Sequence, residues 1–339
     1  MTAHKLGKRD QLAVWITRGT PLLRHMPRRK LLFVLNYHRI GNCDHTLYDP
    51  GIFSATAEQL DEQIRFLKQQ TRCVTLDEAI AIAEGNAPLR EACSLVTFDD
   101  GYRDNYDLAF PVLRSHGVQG VFFLPTSFID SMTLPWWDSI AYMLKKTRKQ
   151  PLMLHYPFEA EFNCDRDHMR ETLRQVLAIY KMPGVDSRLF LEEVQRASEI
   201  ACPEQAPERR FVSWQEAAEM VAGGMALGAH THRHEILSKL SPDEQYQEVR
   251  KSKDAIERQT GAAVRAMACP VGARTSFSDD TIAALKRAGY RAAFSFYGGF
   301  NLPSKLDPFD IRRCSVYGQI SARITCQILI GTVAAKFWP

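Results

Sequence analysis

The stretch LVTFDDGY, Leu95 to Tyr102, is a buried β run that ends in two adjacent carboxylates and a glycine. Cys93 to Phe98 has strong β propensity. Two neighbouring anions repel, so the pair calls for a cation or for protonation of one partner. Successive side chains of a strand end diverge, which lets one carboxylate bind a metal while the other handles a proton. Without such a partner, Asp-Asp-Gly is simply a turn with an Asx-type cap.

Outward from this point, short apolar runs alternate with amphipathic segments, the pattern of parallel strands joined by helices. Strands are expected at Leu31–Tyr37, Cys73–Leu76, Gln119–Leu124, Met225–Ala229, Arg265–Cys269, Tyr290–Phe296 and 311–316. Helices follow Thr56, whose capping box uses Gln59, and run over Asp77–Glu84, Asn105–His116, from Ser213 and Ser241, and from Ser278 to Gly289. No glycine-rich phosphate fingerprint follows the first strand, so the order favours an α/β fold of the distorted (β/α) barrel type, with about seven parallel strands, over an open doubly wound sheet. Residues 132–210 break the rhythm with two charged helical stretches, Asp165–Tyr180 and Ser187–Ile200, and read as a helical insertion on one barrel loop. The expected organisation is a basic segment 1–30, a barrel over 31–317 and an apolar tail over 318–339, which packs as a helix or touches a membrane surface.

A second segment, GAHTHRHEILSKLSPDE (Gly228 to Glu244), holds three of the ten histidines within five residues. His230 and His234 are four apart and converge on one ion if the chain bends. If it stays extended, His230, His232 and His234 share one face, so spacing alone does not fix the ligand pair. One carboxylate and two imidazoles make three protein ligands with a place left for water, the layout of a hydrolytic metal site.

With LVTFDDGY and HTxxH in order, the chain resembles the polysaccharide deacetylases of carbohydrate esterase family four, which share the nodulation-type chitooligosaccharide deacetylase domain. YHRI at Tyr37–Ile40 and PVG at Pro270–Gly272 strengthen the resemblance, which runs from Leu31 to Val316 outside the insertion. It implies Asp99 as catalytic base and Asp100, His230 and His234 as ligands of a divalent metal, zinc above all. It also implies a seven-stranded barrel and an oxyanion donor in the backbone near Pro270 and Val271. Two departures stand out. Met267, Ala268 and Cys269 occupy the place where relatives carry a base-orienting arginine; Arg265, Arg274 or another arginine is left for that task. The family's late leucine-x-histidine acid has no match either, since His234 is the last histidine. His38, at the end of the first strand, is the substitute acid. Trp137 and Asp138, with Trp136, are candidates for stacking on and binding a sugar, or else for anchoring the insertion. Arg312 and Arg313 are candidates for binding a sugar phosphate and read by default as surface residues.

Composition bounds the function. The 339 residues are 45% hydrophobic, with 19 Gly and 17 Pro, which excludes disordered and collagen-like classes. The net charge is +4, but residues 1–30 hold eight Lys or Arg against Asp10, so that segment carries +7 and the remainder −3. A uniformly basic nucleic-acid surface is therefore not expected. The early apolar run Leu12–Ile16 is shorter than a secretory core, no run of ~20 apolar residues is present, and the eight cysteines show no CxxC pair. The expectation is a cytoplasmic protein with reduced thiols, whose basic N-terminus lies against the anionic inner face of the membrane. Its expected substrate is an N-acetylated glycan or lipid-linked sugar, in exopolysaccharide, capsule or cell-envelope glycan synthesis. The competing expectations are a deacylase of another amide or ester, and a noncatalytic glycan-binding protein on a degenerate barrel.

Overall fold

The computed structural model describes residues 30–315, apart from 204, 206, 207 and 300. The expected N-terminal and C-terminal segments lie outside the described residues, apart from Lys30. Eight strands form the barrel path: β1 (Leu31–Tyr37), β2 (Ala92–Phe98), β3 (Gly120–Leu124), β4 (Ala226–Ala229), β5 (Ala266–Ala268), β6 (Ala292–Ser295), β7 (Ile311–Arg312) and β8 (Cys314–Ser315). Their order is β7-β6-β5-β4-β3-β2-β1-β8, every pair is parallel, and the short strand Arg72–Cys73 adds to β2.

The two ends of that order are one continuous segment. Arg312 pairs with Ser295 of β6 and, two residues on, Cys314 pairs with Leu35 of β1. This single segment closes the barrel, so the eight strands amount to seven staves. Where it is too short to fill the gap, Asn301 does so: its carbonyl accepts from Leu32 N–H (2.9 Å) and its side chain bonds Leu32 C=O and both backbone groups of Arg312.

Strand alternation sorts the side chains. Leu32, Val34, Leu95, Val121, Phe123, Ala266, Ala268, Phe294 and Ile311 fill the barrel interior, while Phe33, Leu35, Val96, Phe98 and Phe122 pack outward under the helices. The interior period carries Val34 on to Asn36, Leu95 to Thr97 and Asp99, and Ile311 to Arg313, so the apolar core ends in a polar layer at the C-terminal rim. In parallel barrels that rim holds the chemistry.

Helix starts follow local rules. Thr56–Gln59, Thr75–Glu78, Ser213–Glu216 and Ser241–Glu244 each form reciprocal capping boxes. The box at Thr75 corrects the expected strand Cys73–Leu76: the strand stops at Cys73 and the helix Leu76–Ala83 begins at once. The expected helix from Asn105 opens as a wide π turn over Asn105–Ala109 before Phe110–His116. Asn105 there donates to the carbonyl of His38 (2.7 Å).

Between β3 and β4 the chain builds a subdomain against the barrel. The helix Trp136–Lys146, the antiparallel pair Leu152–Leu154 and Ala160–Phe162, and the helices Met169–Tyr180 and Ser187–Ser198 share a core with Trp137, Ile140, Leu144, Val176 and Phe190. No helix among the described residues is long and apolar enough to cross a membrane. The seven described cysteines are all free thiols.

Candidate metal centre and active site

Asp99 and Asp100 leave β2 in different directions because the backbone reverses between them and the next strand. Asp100 and Gly101 both adopt left-handed φ, 70° and 60°. A Cβ on Gly101 would lie 2.9 Å from Leu124 Cδ2, so the turn needs glycine for both conformation and space. Four of the seven described non-glycine residues with positive φ are Asp100, Thr231, His234 and Val271. Backbone strain is thus concentrated at this rim.

The loop after β4 is pinned from two sides. Thr126 Oγ1 bonds His232 Nδ1 (2.8 Å), Ser127 N–H donates to the His232 carbonyl (2.8 Å), and buried Glu248 accepts the backbone N–H groups of His232 (3.0 Å) and Arg233 (2.8 Å). The alternative left open by spacing is thereby resolved in space: His232 is turned to Thr126, while His230 and His234 approach Asp100. Oδ1 of Asp100 lies 3.5 Å from His230 Nε2 and 3.3 Å from His234 Nε2, all three residues being buried. Their donor atoms form a group of the size that holds a metal ion.

The donor set fits a divalent metal. Asp100 Oδ1 is buried and has no hydrogen-bond partner, an expensive state that a cation relieves. His230 Nδ1 bonds the Ala268 carbonyl (2.8 Å), which places its proton there and leaves the Nε2 lone pair toward Asp100. Burial pushes both imidazoles down; at His230 the charges of Asp99 and Asp100 outweigh it and its pKa is raised, whereas at His234 burial prevails. For Asp100 burial is outweighed by the two histidines, and its carboxyl is held far below the usual range. One carboxylate and two imidazoles leave coordination positions open, which suits catalysis rather than a structural ion.

Asp99 sits in a fixed harness. Arg313 Nη1 donates to Asp99 Oδ1 (2.7 Å) and to Asn36 Oδ1 (2.8 Å), and Asn36 Nδ2 donates to Asp99 Oδ2 (3.0 Å). The guanidinium on one side and the carboxylate on the other set the Asn36 amide orientation, while the Thr97 hydroxyl lies within hydrogen-bond reach of the Leu35 carbonyl (2.8 Å) and Asn36 Oδ1 (2.9 Å). Burial pushes the Asp99 carboxyl up, but Arg313 and His230 outweigh it and keep it ionised. Sequence reading placed Arg313 by default on the surface; it is instead fully buried. It points inward because it lies in register with Ile311 on the barrel-closing segment. Arg265 bonds Asp77 in the open, and Arg274 covers the ring of Tyr297. Arg313 therefore provides the guanidinium that the Met267–Cys269 stretch lacks.

The other candidates fall as follows. His38 directly follows β1, its backbone fixed by Ser54 Oγ (3.0 Å) and Asn105, its ring 5.7 Å from Phe296. Pro270 and Val271 form the turn after β5, with Val271 at φ 63°. Gly272 N–H returns to the Pro270 carbonyl (2.7 Å) and Phe296 N–H to the Gly272 carbonyl (2.8 Å). Trp137 packs edge-on against His234 at 4.6 Å and donates to Tyr102 Oη (2.9 Å). Asp138 is fully buried beneath this wall, accepting from Arg210 (2.7 Å), the Asp49 N–H (3.0 Å) and, more weakly, Tyr102 Oη (3.4 Å).

A family model described as polysaccharide deacetylase matches residues 86–293, a span that contains Asp99, Asp100, His230 and His234. The chain belongs to the polysaccharide deacetylase family. Arg313 lies outside the matched span and reaches Asp99 from the last stave; His38, also outside it, directly follows the first stave. The protein YxkH of Bacillus subtilis (strain 168), itself assigned to the polysaccharide deacetylases, is 31% identical over 117 residues, 34% of this chain; the match spans about a third of that relative's length, 37%. The deacetylase PplD of Streptococcus pyogenes, solved in complex with acetate, has the same fold at TM-score 0.58 and 15% identity, over 90% of this chain and 99% of that one. IcaB from Ammonifex degensii aligns at TM-score 0.57 and 19% identity, over 88% and 97%. Polysaccharide deacetylases of this family depend on a metal, and the chain keeps a donor set for one.

Proposed function

We propose that this polysaccharide deacetylase family member hydrolyses an N-acyl group, acetyl above all, from an amino sugar of a polysaccharide or glycan precursor. The observation that carries the reading is the convergence of Asp100, His230 and His234 on one point beside an Asp99 that Arg313 keeps ionised.

Asp100, His230 and His234 would hold the divalent ion, zinc by the borderline character of one carboxylate and two imidazoles. When bound, it supplies Lewis-acid polarisation of the acyl carbonyl and makes nearby water more acidic. Asp99 takes the proton of the attacking water, its orientation set by Arg313 and Asn36. The Val271 backbone N–H is our candidate for the charge that develops on the carbonyl oxygen, its strained φ fixed by the turn onto Phe296. His38 delivers a proton to the leaving nitrogen, so that one water and one amide give a carboxylic acid and an amine.

Exopolysaccharide, capsule or cell-envelope glycan synthesis is the setting we propose for a member of the polysaccharide deacetylase family. The basic N-terminal segment would bring the protein to an anionic membrane, within reach of a lipid-linked sugar, and salt-sensitive sedimentation with anionic liposomes tests that part.

The central test measures bound metal and acetate release on N-acetylglucosamine oligomers for the wild type, Asp99→Asn and His230→Ala, after chelation and zinc restoration. The reading requires near-stoichiometric zinc in wild type and Asp99→Asn, little in His230→Ala, and acetate from wild type alone. Zinc without acetate from any N-acetylated sugar would move the activity to another acyl group.

A further inference from the structure

Two charged side chains stand beside the site and take part in none of the steps above. Asp49 lies on the loop between the short paired strands Arg39–Ile40 and Phe53–Ala55. It is buried, and its backbone N–H is tied to the fully buried Asp138. Its carboxylate takes one hydrogen bond among the described residues, from Gly51 N–H to Oδ1 (2.7 Å), and forms no ion pair. Burial pushes its carboxyl up, against the Gly51 hydrogen bond and the charges of Lys181 and Lys145. Lys145 is engaged elsewhere, donating to the carbonyls of Thr46 (2.9 Å) and Tyr48 (2.6 Å).

Lys181 comes from the opposite side, directly after the helix Met169–Tyr180. Its chain is exposed, but its ammonium lies 5.6 Å from the Trp136 ring and forms no ion pair among the described residues; burial pushes its pKa down, against the opposing charges of Asp49 and Asp100. This corner is built rather than incidental. Trp136 stacks on Tyr180 at 3.9 Å, and Lys239, five residues after His234, donates to the carbonyls of Tyr180 (2.6 Å) and Val185 (2.8 Å). The subdomain is thereby bolted to the loop that carries the histidines.

Asp49 Oδ2 has no protein partner among the described residues and is not shut off from solvent, so an incoming hydroxyl group can reach it and complete its hydrogen bonding. A saccharide ring has the matching chemistry: its hydroxyl groups donate to a carboxylate and accept from an ammonium, and its C–H face suits an aromatic wall. We propose that Asp49 and Lys181 form a saccharide subsite beside the metal-ligating residues, gripping hydroxyl groups of the ring that bears the acyl group. The inference rests on the deacylase reading of that site and adds the residues that select a sugar.

The test uses the zinc-loaded full chain with an N-acetylglucosamine pentamer as probe. Asp49→Asn keeps an acceptor for Gly51, and Lys181→Met keeps the apolar stem, so neither should disturb the fold. Acetate kinetics are expected to show KM raised about tenfold by each variant, as loss of a hydrogen bond to a charged group implies, with zinc content unchanged. Calorimetry in the Asp99→Asn background should show the same weakening of pentamer binding. Wild-type KM and binding in both variants would overturn the subsite, as would absence of pentamer binding altogether. Binding that depends on Asp49 without any acetate release would instead keep the subsite and remove the deacylase reading.

Discussion

Arg313 Nη1 lies 2.7 Å from Asp99 Oδ1, both side chains buried, although 214 residues separate them. Replacing Arg313 by Met leaves a buried carboxylate without its cation, which typically costs 3–5 kcal/mol, roughly. The variant is expected to retain zinc, because Asp100, His230 and His234 are untouched. Its turnover should fall about 100-fold or more. The Asp99 carboxyl, no longer held down, should titrate higher, moving the acidic limb of the rate–pH profile to higher pH. A profile identical to wild type would exclude the harness role.

His38→Gln tests the proton donor. Gln preserves size and hydrogen bonding but delivers no proton, so kcat should drop about 100-fold on amide substrates. An ester with a good leaving group needs no such proton and should be hydrolysed at close to the wild-type rate. Equal losses on both substrates would assign His38 to the architecture of the site.

Gly101→Ala probes the turn that separates the two carboxylates. The left-handed φ and the 2.9 Å approach to Leu124 both oppose a Cβ, and a loss of about 1–2 kcal/mol is expected from thermal unfolding. Zinc affinity should fall with it, since Asp100 precedes the strained glycine. Unchanged zinc affinity would mean that the turn accommodates alanine without moving Asp100.

Asp138 sets a pH dependence of stability. Burial, partly offset by Arg210, pushes its carboxyl up from 3.8 to about 6. The native state therefore binds a proton that the unfolded chain releases. This contribution is fully present below pH 3.8 and is lost as pH rises through about 6, amounting to about 3 kcal/mol. Asp138→Asn should flatten the stability slope across that window in denaturant titrations. A slope the same as wild type would show that the ion pair with Arg210 keeps Asp138 ionised throughout.

The parts of the site that are local in sequence were legible there. LVTFDDGY announces a strand end and two carboxylates, and Ser213–Glu216 and Ser241–Glu244 announce helix starts, because each rests on neighbours within a few residues. Asn36 was hidden inside an apolar run, where only barrel alternation turns it inward beside Asp99. Arg313 was illegible because its direction depends on which stave it closes against. The histidine trio was ambiguous until Thr126 and Glu248, from two other elements, drew His232 and its backbone aside. The helix Trp136–Lys146 carried a readable stripe in Trp137, Ile140, Ala141 and Leu144, which the prominence of the two tryptophans obscured.

The segment Ile311–Ser315 closes the barrel and carries Arg313 into it. During synthesis the metal ligands and Asp99 leave the ribosome long before that segment does, and domains assemble as their chain emerges. Until residue 315 is clear, Asp99 lacks its counter-ion and the first stave lacks a neighbour. On the proposed roles, a nascent or prematurely terminated chain would hold Asp100, His230 and His234 beside an unharnessed Asp99, and hydrolysis is expected only once the last stave has docked.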